Sequence, residues 1–578
     1  MEGKNTIIRH INKKSGVTYL YWGHSTYVPG EKHPKVTKTC IGKIDAKGEF
    51  EPNKTFLSFP ASEQLDTGLV EEPYYAPYVR GDTDTYENKM YGFIALLETA
   101  AKKTGVWLSL KRVFPHDWKM MLTIVEAMMS YPSRALYRPK HFHDVCWHTA
   151  VDKPTEYGIT QALEAVDPAS SQRFFSDYQR RVQAKQGITA AEQLIVCALD
   201  TSSISTYSAM LEAAKFGKNK EGDAMAQINL LMVCDNQTGI PLYYRSLPGN
   251  YSDKNVLEST LFELRSAEFR RGTMVVADRG FYSQENVKLL LRGNFRFLIG
   301  MPLTAGMYKD AIHEAHEVIL DTENFIEPIG MHCYVKEVSI EAPRRGRGAN
   351  RHDLALFLFL NPAKQAEEQK KLAYKFAQGK RTLEEQGSVY TKKGFYGTYY
   401  LVEQDSKGNI LSVEHHVEAQ RKKMAECGYF GYLGPIGLTH QRVLEITRNR
   451  DYIEKDYEAY KTRMRRPKHS LEEHLEGKIF LVYLSTILEM YIRRVMDEYL
   501  LYDKYTFQDL RDEIFNAKWR KPAGKEFNKG SWCDLPLEVQ KLFYIFDVVK
   551  ESQLRSDIPK MVKNELRKRK IKHGILPD

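Results

Sequence analysis

The chain has 578 residues, which is several times the size of one typical domain and predicts three to five structural units. Hydrophobic residues make up 42% of the chain and charged residues 27%, a balance that supports large cores and excludes wholesale disorder. The formal net charge of +10 permits a polyanionic partner, but at this length it is too modest to identify one.

Cysteine usage and hydropathy exclude several classes of protein. The 7 cysteines are scattered and no two form a CxxC pair, which indicates a reducing compartment rather than a disulfide framework. The N-terminal sequence lacks the apolar core of a signal peptide. The longest apolar stretch, Ile479 to Ile487, is too short to span a bilayer and predicts a buried helix. We therefore expect a cytoplasmic protein without a membrane partner.

The N-terminal third combines a predicted β unit with a predicted helical unit. Alternating residues within 17–45 predict strands of a small β unit over 1–60. The stretch 60–86, rich in Pro, Gly, Asp and Glu, is typical of a linker. Apolar residues at helical spacing then predict a helical unit over 87–180, with one helix over 117–130.

Buried strands are predicted after the helical unit. The apolar runs 194–200 and 273–278 each end in an acidic residue, and the runs 228–235 and 240–247 flank a short turn as in a hairpin. Since buried strands with intervening helices indicate an α/β sheet, residues 190–302 predict the first part of an α/β core.

The remainder of the chain is predicted to contain a β-rich region followed by two helical regions. Residues 303–437 predict a β-rich region, residues 438–500 return to helices, and residues 501–578 form a helical region with a basic tail. The strand candidates in the β-rich region are 354–360, 396–403 and 428–433. The fold class predicted from the whole pattern is multidomain α/β.

Two of the predicted strands end in an aspartate, Asp200 and Asp278. In an open α/β sheet the carboxyl ends of the strands line the active crevice. Carboxylates on neighbouring strands can share Mg²⁺, which prefers oxygen ligands. For either residue alone, the alternative that the aspartate only caps the next turn stays open.

A third acidic residue lies on a predicted helix over 447–461. At about 100° per residue, Arg450, Glu454 and Lys461 fall within a stripe roughly 40° wide, and Tyr457 joins it. A carboxylate flanked by two cations suits a site that binds metal and phosphate together. The alternative is a solvated helix face with ordinary charge pairs.

The order of these residues resembles the DDE transposases of bacterial insertion sequences. The resemblance covers roughly 190–300 and 438–490 and is closest to the branch whose catalytic helix bears a Tyr-x2-Arg-x3-Glu-x6-Lys signature. Thr447 departs from it at the Tyr position, and Glu458, the main rival to Glu454 as third acid, does not fit the spacing. The residues that carry the resemblance are Asp200, Asp278-Arg279-Gly280-Phe281 and Arg450-x3-Glu454-x6-Lys461.

The resemblance implies a fold and a reaction. It implies an RNase H-like catalytic core, interrupted by the β-rich insertion, in which Asp200, Asp278 and Glu454 are catalytic and hold two Mg²⁺ ions, with Mn²⁺ as a possible substitute. It further implies cleavage at the element ends and attack of the freed 3′-OH on target DNA. Arg450 and Lys461 would contact phosphates near the cut, and Arg279 would also bind DNA. The expected partners are double-stranded DNA and a second copy of the chain in a synaptic complex, in the nucleoid of a bacterial cytoplasm.

Two basic segments could grip DNA outside the core. Phosphate binding needs such charges but carries no sequence information, so recognition of the element ends is expected from residues 1–180. The alternative for both segments is a solvated loop and a solvated tail. They comprise Arg344, Arg345, Arg347 and Arg351 in a loop of the insertion, and Arg567, Lys568, Arg569, Lys570 and Lys572 in the tail.

Three further interpretations stay open at this point. A domesticated DNA-binding protein would keep the fold without transposition, although the intact set of acids argues against it. A related nuclease would cut DNA without strand transfer. A zinc site at His141, His143, Cys146 and His148 is disfavoured, because on one helix His143 would point away from His141 and His148 by over ~140°.

Overall fold

The structure is a computed structural model that divides into two compact units. One unit comprises Met1–Leu163 with Ile492–Asp578, and the other comprises Glu164–Tyr491. The residues that the structure describes are 5–13, 15–26, 35–45, 48–57, 59, 61–70, 86–132, 139–150, 153–185, 196–206, 211–217, 225–251, 253–267, 269, 273–343, 348–385, 391, 393–448, 451–464 and 472–576.

The N-terminal sequence folds into a four-stranded antiparallel sheet in the order of the chain. Side chains alternate between its faces, so that Leu20 and Trp22 are buried against Ile41 and Phe56. The strands predicted within 17–45 are present, and a short helix lies in the predicted linker. The elements are β1 (Asn5–Ile11), β2 (Thr18–Thr26), β3 (Lys35–Ile44), β4 (Phe50–Pro52), α1 (Lys54–Leu57) and α2 (Ala61–Asp66).

Helices follow, as the apolar spacing predicts. The predicted helix over 117–130 agrees with α5. A left-handed Gly105, with φ of 98°, ends α3 and lets α4 begin in a new direction. The elements are β5 (Tyr86–Met90), α3 (Gly92–Thr104), α4 (Val106–Val113), α5 (Trp118–Ser130), α6 (Pro139–Val145) and α7 (Glu156–Glu164).

The segment from Pro168 to Leu360 contains most of the strands of a nine-stranded sheet and the helices that connect them. The predicted hairpin is confirmed, since β7 and β8 pair antiparallel. The elements are α8 (Pro168–Lys185), β6 (Val196–Ser205), β7 (Gln227–Asp235), β8 (Pro241–Pro248), α9 (Asp253–Ser266), β9 (Met274–Ala277), α10 (Gln284–Arg292), β10 (Arg296–Gly300), α11 (Gly306–Ala315), β11 (Phe325–Ile326), β12 (Met331–Pro343) and β13 (Ala349–Leu360).

A smaller hairpin and the remaining helices complete the chain. Ile479–Ile487, the predicted buried helix, lies inside the 27-residue α17, where its apolar side chains are fully buried. The elements are α12 (Pro362–Glu385), α13 (Phe395–Tyr399), β14 (Tyr400–Gln404), β15 (Ile410–His415), α14 (Val417–Ala425), β16 (Tyr429–Pro435), α15 (His440–Arg448), α16 (Asp451–Met464), α17 (Glu472–Glu498), α18 (Phe507–Phe515), β17 (Lys518–Pro522), β18 (Ser531–Trp532), α19 (Leu537–Ile545) and α20 (Ile558–Lys572).

The nine-stranded sheet mixes parallel and antiparallel pairs in the order β11-β12-β13-β16-β10-β9-β6-β7-β8. At its centre β6, β9 and β10 are parallel, while β7 and β16 run antiparallel to their neighbours β6 and β10. The mixed α/β class is therefore confirmed, and the RNase H-like topology stays a prediction. α8 packs on this sheet, where the Gln179 side chain donates to the Leu242 carbonyl at 2.9 Å.

The region 303–437 divides between two sheets. β11, β12, β13 and β16 extend the central sheet beyond β10, whereas β14 and β15 form a separate two-stranded sheet. The prediction of a strand over 396–403 is wrong in its first half, because α13 occupies Phe395–Tyr399. The aromatic residues of that turn favour strands by propensity, but here Phe395 and Tyr399 pack on Phe376 of α12, and this tertiary contact decides the conformation.

Within the described ranges, none of the helices combines the length and the apolar character needed to cross a bilayer.

Candidate active site

Asp200 and Asp278 lie side by side on neighbouring parallel strands. The register of β6 and β9 pairs Leu199 with Ala277, so the next residue along each strand is one of the two aspartates. Neighbouring strands are ~4.8 Å apart, which brings the two backbones within reach of one small ion. The sequence thus predicted the juxtaposition of two acids that are far apart along the chain.

The prediction that the first strand ends at Asp200 is wrong. β6 continues to Ser205 and pairs with β7 along its length, with Asp200 opposite Met232. The composition Asp-Thr-Ser-Ser resembles a turn, but pairing with β7 supplies backbone partners that keep the segment extended. Asp278, in contrast, directly follows the last residue of β9, as predicted.

Both carboxylates are oriented by the backbone that follows them. Oδ1 of Asp200 accepts a hydrogen bond from the N–H of Thr201 at 2.8 Å. Oδ1 of Asp278 accepts one from the N–H of Arg279 at 2.7 Å and caps the short 3-10 helix Arg279–Phe281. The capping role left open from the sequence is therefore present at Asp278, together with the paired placement. Both residues are half-buried.

Gly300 supports the Asp278 turn and was missed by the sequence analysis. A Cβ at Gly300, the last residue of β10, would lie 2.9 Å from the backbone nitrogen of Arg279 and 3.4 Å from its Cα. Backbone atoms this close leave room only for glycine. A glycine that ends a strand next to the acid-bearing strand is the signal that could have identified it.

Polar contacts fasten α15 and α16 to one strand, β7. The Cys234 thiol donates to Oδ2 of Asp456 at 2.8 Å, and the Asn236 side chain donates to the carbonyl of Ile446 on α15 at 3.0 Å. Burial, followed by the charge of Asp456, raises the pKa of Cys234 well above its ordinary value, so the thiol keeps its proton. Cys234 near the end of β7 and Asn236 just after it thus hold the two helices against the same strand.

Tyr457 is the contact of α16 that reaches Asp200. Its hydroxyl donates to the Asp200 carbonyl at 2.6 Å and accepts from the Met232 N–H at 3.0 Å. The Leu230 carbonyl also lies within hydrogen-bond distance, at 3.0 Å. Burial, followed by the nearby charge of Asp200, raises the pKa of Tyr457 well above its ordinary value, so the phenol stays a donor.

Glu454 and Lys461 lie beside Tyr457 on α16. At about 100° per residue, Glu454 is displaced from Tyr457 by about 60° and Lys461 by about 40°, to the same side. Glu458 lies about 100° from Tyr457, farther from the docked face. Glu454 and Glu458 are exposed and Lys461 is half-buried. The helix face predicted to carry the stripe therefore borders the face that contacts the sheet.

The three predicted metal ligands do not form one closed cluster. Across the described ranges, no group of three or more His, Cys, Asp or Glu side chains is close enough to hold a metal ion. The donor set nevertheless fits magnesium, because carboxylate oxygens are the ligands that it prefers. Like charges repel one another without a cation between them, so splayed carboxylates are the arrangement expected before a cation binds.

The structure describes only some of the residues that are predicted to contact DNA. Arg279 is exposed at the start of the turn that follows Asp278. Thr447 belongs to α15 and α16 comprises Asp451–Met464, while residues 449 and 450 lie outside the described residues, so one helix over 447–461 stays a prediction. The predicted contacts that lie outside the described residues are Arg344, Arg345, Arg347 and Arg450.

The prediction that His143 and His148 point apart is wrong. α6 ends at Val145, so the two residues do not share a helix, and Nδ1 of His143 lies 2.8 Å from Nε2 of His148. Burial and the neighbouring His143 lower the pKa of His148 to about 3. His148 is thus neutral and hydrogen-bonded to His143 within the helical unit.

Comparison with known proteins shows the family to which the central sheet belongs. A family model described as "Transposase DDE domain" matches residues 192–488. This span exceeds half of the chain and contains all nine strands of the central sheet, both aspartates and α16. The matched region is therefore a transposase DDE domain. The chain belongs to the DDE transposase family.

One solved structure with similarity to the chain is a transposase. The chain is similar to a piggyBac transposase in a cryo-EM synaptic complex with hairpin DNA, at 9% sequence identity and a TM-score of 0.29. The similarity covers 70% of this chain and 64% of that one, so the chain spans less than two thirds of that protein. The comparison with curated proteins gives no match.

Proposed function

We propose that the chain is a DNA transposase that binds the ends of its own insertion sequence, cleaves them and joins the 3′-OH ends to target DNA. The observation that carries the proposal is that Asp200 and Asp278 each follow the last paired residue, Leu199 and Ala277, of two adjacent strands inside the family match. Cleavage and joining are both in-line phosphoryl transfers, so one site can serve both steps.

Asp200, Asp278 and Glu454 would hold two Mg²⁺ ions, and Mn²⁺ would substitute for them. When bound, such cations activate the attacking oxygen and stabilise the leaving oxygen. The protein supplies carboxylates that the backbone already orients at Asp200 and Asp278. Glu454 would approach from the helix that Tyr457 attaches to Asp200.

Lys461, Arg450 and Arg279 would neutralise phosphates near the cut. Cations beside metal-binding carboxylates would compete with Mg²⁺ unless a polyanion enters the site. A phosphodiester supplies that negative charge. The arrangement therefore favours a nucleic-acid substrate over a small neutral one.

Other parts of the chain would recognise and hold the DNA. Residues 1–180 would read the element ends, and two copies of the chain would meet in a synaptic complex in the bacterial nucleoid. In the basic tail, Arg569 donates to the Tyr499 carbonyl and Lys572 pairs with Asp503, which supports a structural role for these two. Arg567 and Lys568 are exposed, and the loop of Arg344, Arg345 and Arg347 would add further phosphate contacts.

The test is a reaction of the full chain with DNA that carries the ends of its element. In Mg²⁺ we expect cleavage at the ends and joining of these ends to a second DNA molecule. Cleavage without joining would identify a nuclease. Binding without cleavage, in Mg²⁺ and in Mn²⁺, would identify a domesticated DNA-binding protein and overturn the proposal.

A further inference from the structure

The peptide group between Asp200 and Thr201 is held at both of its ends. Its N–H donates to Oδ1 of Asp200 at 2.8 Å, and its C=O accepts from the Tyr457 hydroxyl at 2.6 Å. Because a peptide group is planar and rigid, a rotation that weakens one of these contacts also moves the other. The Tyr457 hydroxyl therefore restrains the unit that orients the Asp200 carboxylate.

The two contacts also reinforce each other electrostatically. A hydrogen bond accepted by a carbonyl polarises its peptide group and makes the N–H a better donor. The effect is larger in a site that excludes water, and Tyr457 is only 6% exposed. The Asp200 carboxylate thus receives its hydrogen bond from a peptide group that Tyr457 polarises.

The same side chain links Asp200 to Glu454. Tyr457 lies three residues after Glu454, so the two side chains are neighbours on α16. A fixed position of the Tyr457 hydroxyl on β6 and β7 limits both sliding and rotation of the helix. The distance that Glu454 must cover to reach the aspartates is set by this contact.

We propose that Tyr457 is a positioning residue that aligns Asp200 and Glu454 for cation binding. The inference rests on the proposed function of these acids as metal ligands. Tyr457 does not touch the cations or the DNA. It acts through the Asp200 peptide group and through the register of α16 on the sheet.

Tyr460 provides a matched comparison on the same helix. It is fully buried, and its hydroxyl donates to the Ile479 carbonyl at 3.3 Å, on the side of α17 rather than of Asp200. Loss of the Tyr460 hydroxyl removes its bond to Ile479, loss of the Tyr457 hydroxyl removes its bonds to Asp200 and Met232, and either change leaves the ring in place. Only loss of the Tyr457 hydroxyl should alter the use of metal.

The experiment compares Tyr457→Phe with Tyr460→Phe in the full chain. Cleavage of end DNA is measured against Mg²⁺ and Mn²⁺ concentration, together with DNA affinity and Tm. For Tyr457→Phe we expect the rate at saturating Mg²⁺ to fall roughly tenfold to a hundredfold, as misplacement of a reacting group does. The metal concentration for half-maximal cleavage should rise, while DNA affinity stays unchanged. Tyr460→Phe should lower Tm without moving the metal curve.

A third variant guards against a folding defect. Replacement of Tyr457 by 4-aminophenylalanine retains a hydrogen-bond donor and should restore the metal curve most of the way to that of the wild type. A wild-type metal curve for Tyr457→Phe would overturn the inference while the proposed function stands. An equal shift for Tyr460→Phe would also overturn it. Wild-type protein that cleaves in neither metal would overturn the proposed function first, and the inference with it.

Discussion

Asp200 and Asp278 occupy equivalent positions on neighbouring strands but are supported by different parts of the chain. Asp278 belongs to a local turn, in which its carboxylate caps the next residues and Gly300 leaves space for their backbone. Asp200 lies inside a long strand, and its peptide group is held by Tyr457, 257 residues away in the sequence. One acid is thus positioned locally and the other by the packing of α16, so the two should respond differently to changes elsewhere.

The largest effect is expected from the acids themselves. Asp200→Asn, Asp278→Asn and Glu454→Gln each remove a charged ligand but keep the shape, so cleavage of end DNA in Mg²⁺ should fall below detection. DNA binding should stay within a few-fold of the wild type in a mobility-shift assay. Glu458→Gln removes an exposed charge from the same helix and is the control. Active Glu454→Gln beside inactive Glu458→Gln would show that the other carboxylate is the third ligand.

The next largest effect is expected at Gly300, which leaves space for the turn that follows Asp278. Gly300→Ala places a Cβ against the Arg279 backbone, so the turn must move. We expect cleavage to fall roughly tenfold to a hundredfold. The free energy of unfolding should fall by about 1–3 kcal/mol. Cleavage assays and urea denaturation measure the two effects.

Gly306→Ala is the matched control for this change, because a Cβ at Gly306 would meet no atom within 4 Å. It should leave both cleavage and stability close to those of the wild type. If Gly300→Ala were as active as Gly306→Ala, the turn would tolerate displacement and the local support of Asp278 would be unimportant.

A smaller effect is expected at the helix face that adjoins Tyr457. Lys461→Ala should slow cleavage several-fold and reduce the slope of log affinity against log salt by about 0.9, the contribution of one phosphate contact on duplex DNA. Lys455→Ala is the control, because Lys455 is exposed and lies about 160° from Tyr457 on the helix. Equal slopes for the two variants would mean that Lys461 only forms charge pairs within the protein.

The smallest effect on catalysis is expected at the contact between Cys234 of β7 and Asp456 of α16, where the main effect should be a lower free energy of unfolding. Cys234→Ala removes the donor to the buried Asp456, which should cost about 1–3 kcal/mol of unfolding free energy. Cys197→Ala removes an equally buried thiol from β6 and serves as the control in urea denaturation. Equal losses for the two variants would show that the thiol contact to Asp456 contributes nothing beyond packing.

The fold was predictable wherever short-range patterns decide it. Continuous apolar runs marked β9, β10, β13 and the β7–β8 hairpin, since burial in a sheet needs apolar side chains on both faces. The prediction failed where distant contacts decide the conformation. Ser and Thr residues after Asp200 looked like a turn until pairing with β7 kept them extended, and packing on α12 turned Phe395–Tyr399 into a helix.

The same division holds for the site. Acidic residues at the ends of predicted strands and on a predicted helix are visible in the sequence, and together with the family resemblance they predicted Asp200, Asp278 and Glu454 as an ordered set. The sequence placed Tyr457 only on the same helix face as Glu454 and Lys461. The hydrogen bond of its hydroxyl to the Asp200 carbonyl depends on how α16 docks, which no local pattern encodes. Gly300 was missed for the same reason.

The most direct test of the central claim is a titration of Mn²⁺ binding to the full chain in complex with end DNA. A two-metal site should bind about two ions per active site in the wild type. Asp200→Asn and Asp278→Asn should each lose at least one of these ions, whereas Glu458→Gln should keep both. Binding of Mn²⁺ by the two aspartate variants with wild-type stoichiometry and affinity would contradict the assignment of the paired aspartates as metal ligands.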